Sequence, residues 1–173
     1  LRSDYEKLME EINAIDAEHI WIIDDSFLIT REDALDFIRA SRKYSHNYGA
    51  GNACTTGSVS TSGSAKSLIA YLRADFVVEN EDLIPELREC GLREIITGFE
   101  SPDADTLKSY NKGQSSGIYQ KLTEILKRED IELTALFIVD PQYSVSDFIR
   151  LFRYIKKLGI SLYTLSIMTP LKG

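Results

Sequence analysis

Five short apolar runs, separated by amphipathic stretches, constrain this chain more than any other feature of its 173 residues. The runs cover residues 19–23, 68–75, 94–100, 133–139 and 162–168. Several are apolar at consecutive positions, the pattern of strands covered on both faces in a parallel sheet. Between them lie helical periodicities with their own punctuation. Residues 4–15 place Tyr5, Leu8, Met9, Ile12 and Ile15 on one face, behind a capping box of Ser3 and Glu6. Thr30 caps a helix over 31–43, Asn80 caps one over 81–90, and Gly91 stops the latter. Ser101-Pro102 opens another helix, residues 113–117 break it, and a further helix runs to Arg128. Ser144 starts the last helix, which ends at Leu158 before Gly159.

Strands alternating with helices imply parallel βαβ units, closed either as an open doubly wound sheet or as a barrel. No G-x-G-x-x-G or P-loop follows any strand, which weakens the nucleotide-binding open sheet. A full barrel begins on a strand and usually needs ~250 residues. This chain begins on a helix, without an initiating Met, and ends on a strand. The expected fold is therefore α/β: a parallel-stranded partial (β/α) barrel of TIM type, truncated, with the first strand missing and residues 1–173 forming one unit. Residues 44–67 break the pattern, being rich in Gly, Ser, Thr, Asn and Ala, and are expected to form a flexible loop or insertion.

Composition narrows the function classes. Asp plus Glu is 27 against 20 for Lys plus Arg, a formal charge of −7, which argues against a nucleic-acid binder. No apolar run approaches a membrane span and the N-terminus is no signal peptide, so the expected location is cytoplasmic. Two cysteines, Cys54 and Cys90, are too few for a disulfide scaffold or a complete thiolate cage.

In parallel α/β folds chemistry gathers at the carboxyl ends of the strands. Those ends carry Asp24 and Asp25, Arg73 and Asp75, Glu100 and Ser101, Asp140 and Thr169. Any one acid has a plain alternative role in capping the next helix, but their repetition suggests an acidic rim suited to cations, hydroxyls or ammonium groups. Asp24 and Asp25 should not both face inward, and Asp24 is taken as the inward one. Trp21 reads as core, Phe148, Phe152 and Tyr154 as packing, Cys90 as a buried small residue, and Lys156-Lys157 as a solvated helix end.

Several strings together resemble the cobalamin (B12)-associated group of radical S-adenosylmethionine (radical SAM) proteins. They are Ile22-Ile23-Asp24-Asp25-Ser26-Phe27, Tyr71-Leu72-Arg73-Ala74-Asp75, Cys90-Gly91-Leu92 with Thr97-Gly98-Phe99-Glu100-Ser101, and Leu107 with Tyr110-Asn111-Lys112-Gly113. Phe137-Ile138-Val139-Asp140 and Met168-Thr169-Pro170-Leu171 with Gly173 complete the set. The departure is the family's C-x3-C-x2-C cluster motif, which has no counterpart in these 173 residues.

The resemblance implies a fragment of a radical SAM iron–sulfur enzyme, a cobalamin-associated oxidoreductase, cyclase or methyltransferase. It would be inactive alone and would depend on a missing N-terminal segment of the same protein. The parent would use S-adenosylmethionine, a 4Fe-4S cluster and, in this group, cobalamin, on a hydrophobic or tetrapyrrole-like small molecule. None of these cofactors is expected on this chain alone. The resemblance places Asp24 and Asp25 at the ligand's ammonium group, and Arg73 at its carboxylate or, alternatively, in a salt bridge to Asp75 or Glu100. Glu100 and Ser101 would meet the ribose and methionine moiety, and Ile138 and Val139 the adenine. Two other classes compete: a Mg²⁺-dependent barrel hydrolase or isomerase using the acidic rim, and a degenerate, non-catalytic binding module.

Overall fold

The computed structural model describes residues 4–25, 27–49, 66–100 and 116–167, and of residues 45–49, Glu100 and Ser116 only the backbone. The elements are α1 (Tyr5–Ala14), β1 (His19–Ile22), α2 (Arg31–Gly49), β2 (Ser67–Tyr71) and α3 (Ala74–Glu79). A 3-10 turn (Glu81–Leu83), α4 (Ile84–Glu89), β3 (Leu92–Glu100), α5 (Ser116–Arg128), β4 (Glu132–Val139), α6 (Val145–Leu158) and β5 (Leu162–Ile167) follow. The five strands form one sheet in sequence order, β1-β2-β3-β4-β5, and every neighbouring pair is parallel.

Sequential parallel order decides the architecture. Each crossover is right-handed by the twist of the strands, so successive steps in one direction put all the helices on one face. The helices do contact one another along that face, α1 with α2, α2 with α4, α3 with α5, and α5 with α6. The sheet curls around its uncovered side into a half-barrel.

Side chains sort between the two faces by the strand alternation. Ile20, Leu68, Ala70, Leu92, Ile95, Ala135, Phe137 and Val139 turn toward the helices and belong to one continuous core. At one end of that core Tyr5, Phe27 and Phe37 pack edge to face, with ring centroids 5.1–6.3 Å apart. Near its middle Phe99 stacks on Tyr119 at 4.4 Å and meets Phe137 at 5.3 Å.

The sequence expectations hold for α6, whose cap is a complete capping box between Ser144 and Asp147 and whose stop is left-handed Gly159. Thr30 likewise shares a reciprocal pair with Asp33 before α2. Other expectations need correction. The N-cap of α1 is Asp4, which accepts from Lys7 N at 3.1 Å, and the helix stops at Ala14. Helix α2 does not end at Lys43 but continues to Gly49, so residues 44–49 are helical; residues 50–65 lie outside the described residues. Helix α3 falls where a strand end was expected, because β2 stops at Tyr71 and Leu72 N adds one more bond, to Ile96 O at 3.1 Å. Asn80 does not cap the following helix through its side chain. It is buried, and its Nδ2 donates to Phe76 O at 2.8 Å, closing the end of α3. The helix expected from Ser101-Pro102 lies outside the described residues.

Two tests follow from these details. Gly91 has φ of +106°, and a Cβ there would run into the Lys66 carbonyl oxygen. Gly91→Ala should cost about 2–4 kcal/mol through strain and overpacking. Thermal unfolding should then show a Tm lower by roughly 4–16 °C. The second concerns Asp147, whose carboxyl the Ser144 hydroxyl, then Arg150, hold down at about 2 from an ordinary 3.8. A depressed acid stabilises the fold above its unfolded value and loses that contribution as pH falls through its folded value. An NMR titration of the Asp147 carboxyl carbon should therefore show a midpoint near 2, and Ser144→Ala should move it upward.

Candidate binding rim and concave face

Parallel strands bring their carboxyl ends to one edge, so residues after β1, β2, β3 and β4 share a rim. What each side chain does there differs. Arg73 donates from Nε to Asp75 Oδ1 at 2.9 Å and from Nη2 to Asp75 Oδ2. This bidentate hydrogen bond holds the Asp75 carboxyl below its usual range against the opposing effect of partial burial. Asp75 also accepts from Phe76 N at 2.9 Å, in the first turn of α3. The salt-bridge alternative for Arg73 is thus realised, and its guanidinium already holds a carboxylate.

Asp140 turns to its own chain, accepting from Gln142 N at 2.8 Å in a local turn. Asp24 and Asp25 are both exposed. Asp24 borders a cavity of about 390 Å³ between α1 and β1, beside Tyr5, Leu8 and Phe27. Trp21 and Ile23, of the opposite parity to Ile20 and Ile22, line the same cavity, and β1 ends at Ile22, so the strand alternation does not assign Asp24 to either side. The alternation does separate Ile138 from Val139. Ile138 is half-buried on the concave side, whereas Val139 is 4% exposed in the helix-facing core, so its side chain is withdrawn from any ligand at the rim. The side chain of Glu100, and all of Ser101 and Thr169, lie outside the described residues.

The rim is held by a buried hydroxyl. Thr97 in β3 donates its Oγ1 to the carbonyl of Leu72, the residue before Arg73. With Leu72 N on Ile96 O, this clamps the end of β2 to β3. A hydroxyl bonded in the core is there for position, since its partner would otherwise be left without a donor.

Among the described residues no three His, Cys, Asp or Glu side chains gather to hold a metal ion. The acids therefore share an edge without converging on a point, which removes the ground for a Mg²⁺ centre built from the described part of the rim. Cys90 lies at the end of α4, just before β3 begins, at the opposite edge of the sheet from the rim. Burial pushes its thiol up, an inert rather than a ligating setting. With Cys54 the only other cysteine, these 173 residues do not fit an iron–sulfur cluster held by three thiolates.

The concave face holds what the strand-end reading missed. Trp21, expected in the core, is 52% exposed on this face, and its ring stacks on Tyr71 of the neighbouring strand at 6.0 Å and 30°. Register places Trp21 beside Ile69 and Tyr71 beside Ile96, with Thr134 and Leu162 continuing the row. Thr134 donates to Glu94 Oε1 at 2.7 Å on the same face, with Glu94 in register with Ile69, the neighbour of Trp21. The signal in the sequence was the parity of His19 and Trp21 against Ile20 and Ile22, obscured because the run is apolar almost throughout.

No family model matches the chain. Its backbone matches TsrM of Kitasatospora setae, a radical S-adenosylmethionine methyltransferase, solved with tryptophan substrate and a SAM analogue. That match has a TM-score of 0.67 over 92% of this chain and 29% of that one, at 14% identity. OxsB, a cobalamin-dependent S-adenosylmethionine radical enzyme, matches at 0.57 over 88% of this chain and 21% of that one, at 18% identity. The radical SAM coproporphyrinogen III oxidase (HemN) of Escherichia coli matches at 0.58 over 82% and 29%, at 10% identity.

The chain shares its fold with part of the barrel of these enzymes. At these identities the likeness concerns the fold alone. In sequence, 106 residues are 27% identical to bacteriochlorophyllide d C-8(2)-methyltransferase of Chlorobaculum tepidum, covering 60% of this chain and 23% of that protein. The chain thus spans under a third of the length of each of these proteins.

The rim depends on Thr97. Thr97→Val keeps the shape but strips the Leu72 carbonyl of its donor, and should cost about 1–3 kcal/mol. Urea unfolding should detect the loss, and Thr97→Ser should recover most of it.

Proposed function

We propose that this chain is the S-adenosylmethionine-binding half-barrel of a cobalamin-associated radical SAM enzyme, a methyltransferase, cyclase or oxidoreductase. The observation that carries the reading is the sequential, all-parallel, curled sheet with every strand end on one rim. Its match to cobalamin-dependent radical SAM enzymes and the sequence likeness to a methyltransferase support it. In this reading the cluster thiolates lie outside these 173 residues, because the cysteines within them do not fit the role. Bound together, cluster and S-adenosylmethionine supply a carbon-centred radical.

The chain's own residues bind and orient. Exposed Asp24 and Asp25 offer carboxylates to an ammonium or sulfonium group. Glu100, the last residue of β3, and Ser101, which follows it in sequence, are assigned to the ribose and the amino-acid end. Half-buried Ile138 offers an apolar side chain to the adenine. Arg73 contributes by fixing Asp75 at the start of α3. The substrate is a hydrophobic, tetrapyrrole-like small molecule, a reading supported by the names of the bacteriochlorophyllide methyltransferase and the coproporphyrinogen oxidase among the similar proteins.

The test is ligand binding followed by turnover. Saturation-transfer NMR on the 173-residue chain should detect S-adenosylmethionine binding weakly, and Asp25→Ala and Glu100→Ala should each reduce the signal. After anaerobic iron and sulfide treatment the chain alone should yield no 5′-deoxyadenosine, whereas the polypeptide carrying a C-x3-C-x2-C segment should. Formation of 5′-deoxyadenosine by the 173-residue chain would overturn the assignment of the cluster to residues outside it. No saturation transfer at all, or none altered by either substitution, would return the rim acids to capping and solvation.

A further inference from the structure

We infer that the two free edges of the half-barrel bind each other between two copies of this chain. The edge formed by β5 and the flank of α6 in one copy docks on the edge formed by β1 and the flank of α1 in the other. The same contact made twice closes a dimer. This goes beyond the proposed function and does not depend on it.

Both edges are built to pair. Among the described residues β1 and β5 each have a neighbouring strand on one side only. Such a strand presents a row of backbone donors and acceptors, which folded proteins blunt with lysine, proline, a bulge or a cover. The sequence of β1 is His-Ile-Trp-Ile and that of β5 is Leu-Tyr-Thr-Leu-Ser-Ile, with no lysine, acid or proline in either. The helix beside each strand also leaves apolar surface open. On α6, Val145, Ile149 and Phe152 recur at helical spacing and are all exposed. Phe152 meets Tyr163 of β5 edge to face at 6.3 Å, which sets this stripe on the flank beside the sheet edge. At the opposite edge Leu8, Ile12, Ile15, Trp21 and Ile23 line the cavity of about 390 Å³ between α1 and β1, and Ile23 is 84% exposed.

Charge decides which edge meets which. Lys156 continues the α6 stripe one turn beyond Phe152, with Arg153 beside it, whereas Asp16 and Glu18 lie between α1 and β1. Among the described residues none of these four side chains has an ion pair, although Arg31, Arg42, Arg88, Lys121 and Arg128 all do. Helices between parallel strands run back against them, so the last turns of α1 and α6 both lie at the amino end of the sheet. The unpaired acids and the unpaired cations therefore stand at the same height on opposite edges. Joining β5 to β5, or β1 to β1, would bring edges of like charge together, which costs affinity. Head-to-tail contacts form a closed ring when the rotation from copy to copy divides a full turn. A half-barrel meets that condition with two copies, and every strand stays parallel.

Oligomeric state tests this directly. Sedimentation equilibrium of the 173-residue chain should show a dimer that dissociates in the micromolar range, and no larger species. Arg153→Glu with Lys156→Glu reverses one edge, and Asp16→Lys with Glu18→Lys reverses the other. Each double variant alone sets like charges at both contacts and should weaken dimerisation about a hundredfold. Mixed together, the two should form a dimer of near wild-type affinity, because every contact then joins opposite signs. Native mass spectrometry should find one copy of each variant in it. Ile149→Asp should weaken the wild-type dimer, and Lys127→Glu, in the last turn of α5 away from both edges, should leave it unchanged. Circular dichroism would establish that each variant is folded.

A wild-type chain that stays monomeric would overturn the proposal in favour of cover supplied by another segment of the same polypeptide. Dimers that survive both double reversals, or that the mixture fails to restore, would overturn the pairing of unlike edges. Open-ended oligomers of the wild-type chain would overturn the closed dimer.

Discussion

Right-handed connection of parallel neighbours is the constraint on which this molecule depends. Five strands added one after another in the same direction leave the helices no choice of face. With all helices on one side the sheet bends, and the other side becomes a hollow lined by alternate residues of every strand. The rim, where ligand binding is proposed, and the open concave face are both products of that one rule. A doubly wound order would have buried Trp21 and Tyr71 beneath a second helix layer.

The helix-facing layer holds the energy. Leu68, Ile95, Ala135 and Phe137 lie within about 2% of complete burial, and Phe99 and Tyr119 stack beneath the ends of β3 and β4. Burial of such side chains contributes about 1.5–3 kcal/mol each. The concave layer gives up that gain at Trp21. Most of the buried side chains therefore lie on the helix side of the sheet, and the exposed Trp21 on the other.

The acids at the strand ends divide in the same way between structure and ligand. Asp140 serves its own turn, and Asp75 serves Arg73 and the first turn of α3. These are the plain roles that make acids common after strands, and they show why repetition of a residue type around a rim is weak ground for a metal centre. Position alone assembles an edge. Convergence needs side chains aimed at one point, and the described acids are not so aimed.

Much of this was decided by the sequence alone. The strand–helix alternation set the parallel class and the strand order, because apolar periodicity and short connections act locally. The Ser144 and Thr30 caps and the Gly159 stop were legible for the same reason: each is a bond within a few residues. Tertiary structure decided the rest. Trp21 read as core because its run is apolar on both sides, and only the placement of every helix on one face shows which side stays open. Val139 was assigned to the ligand by its nearness to a strand end, and the alternation at Ile138 turned it toward the helices. The continuation of α2 through residues 44–49 and the short α3 escaped because their local composition favours loop and strand, and packing against neighbours outweighed it. Periodicity along one chain specifies what can be buried; which surface is left for a ligand depends on how the sheet curls.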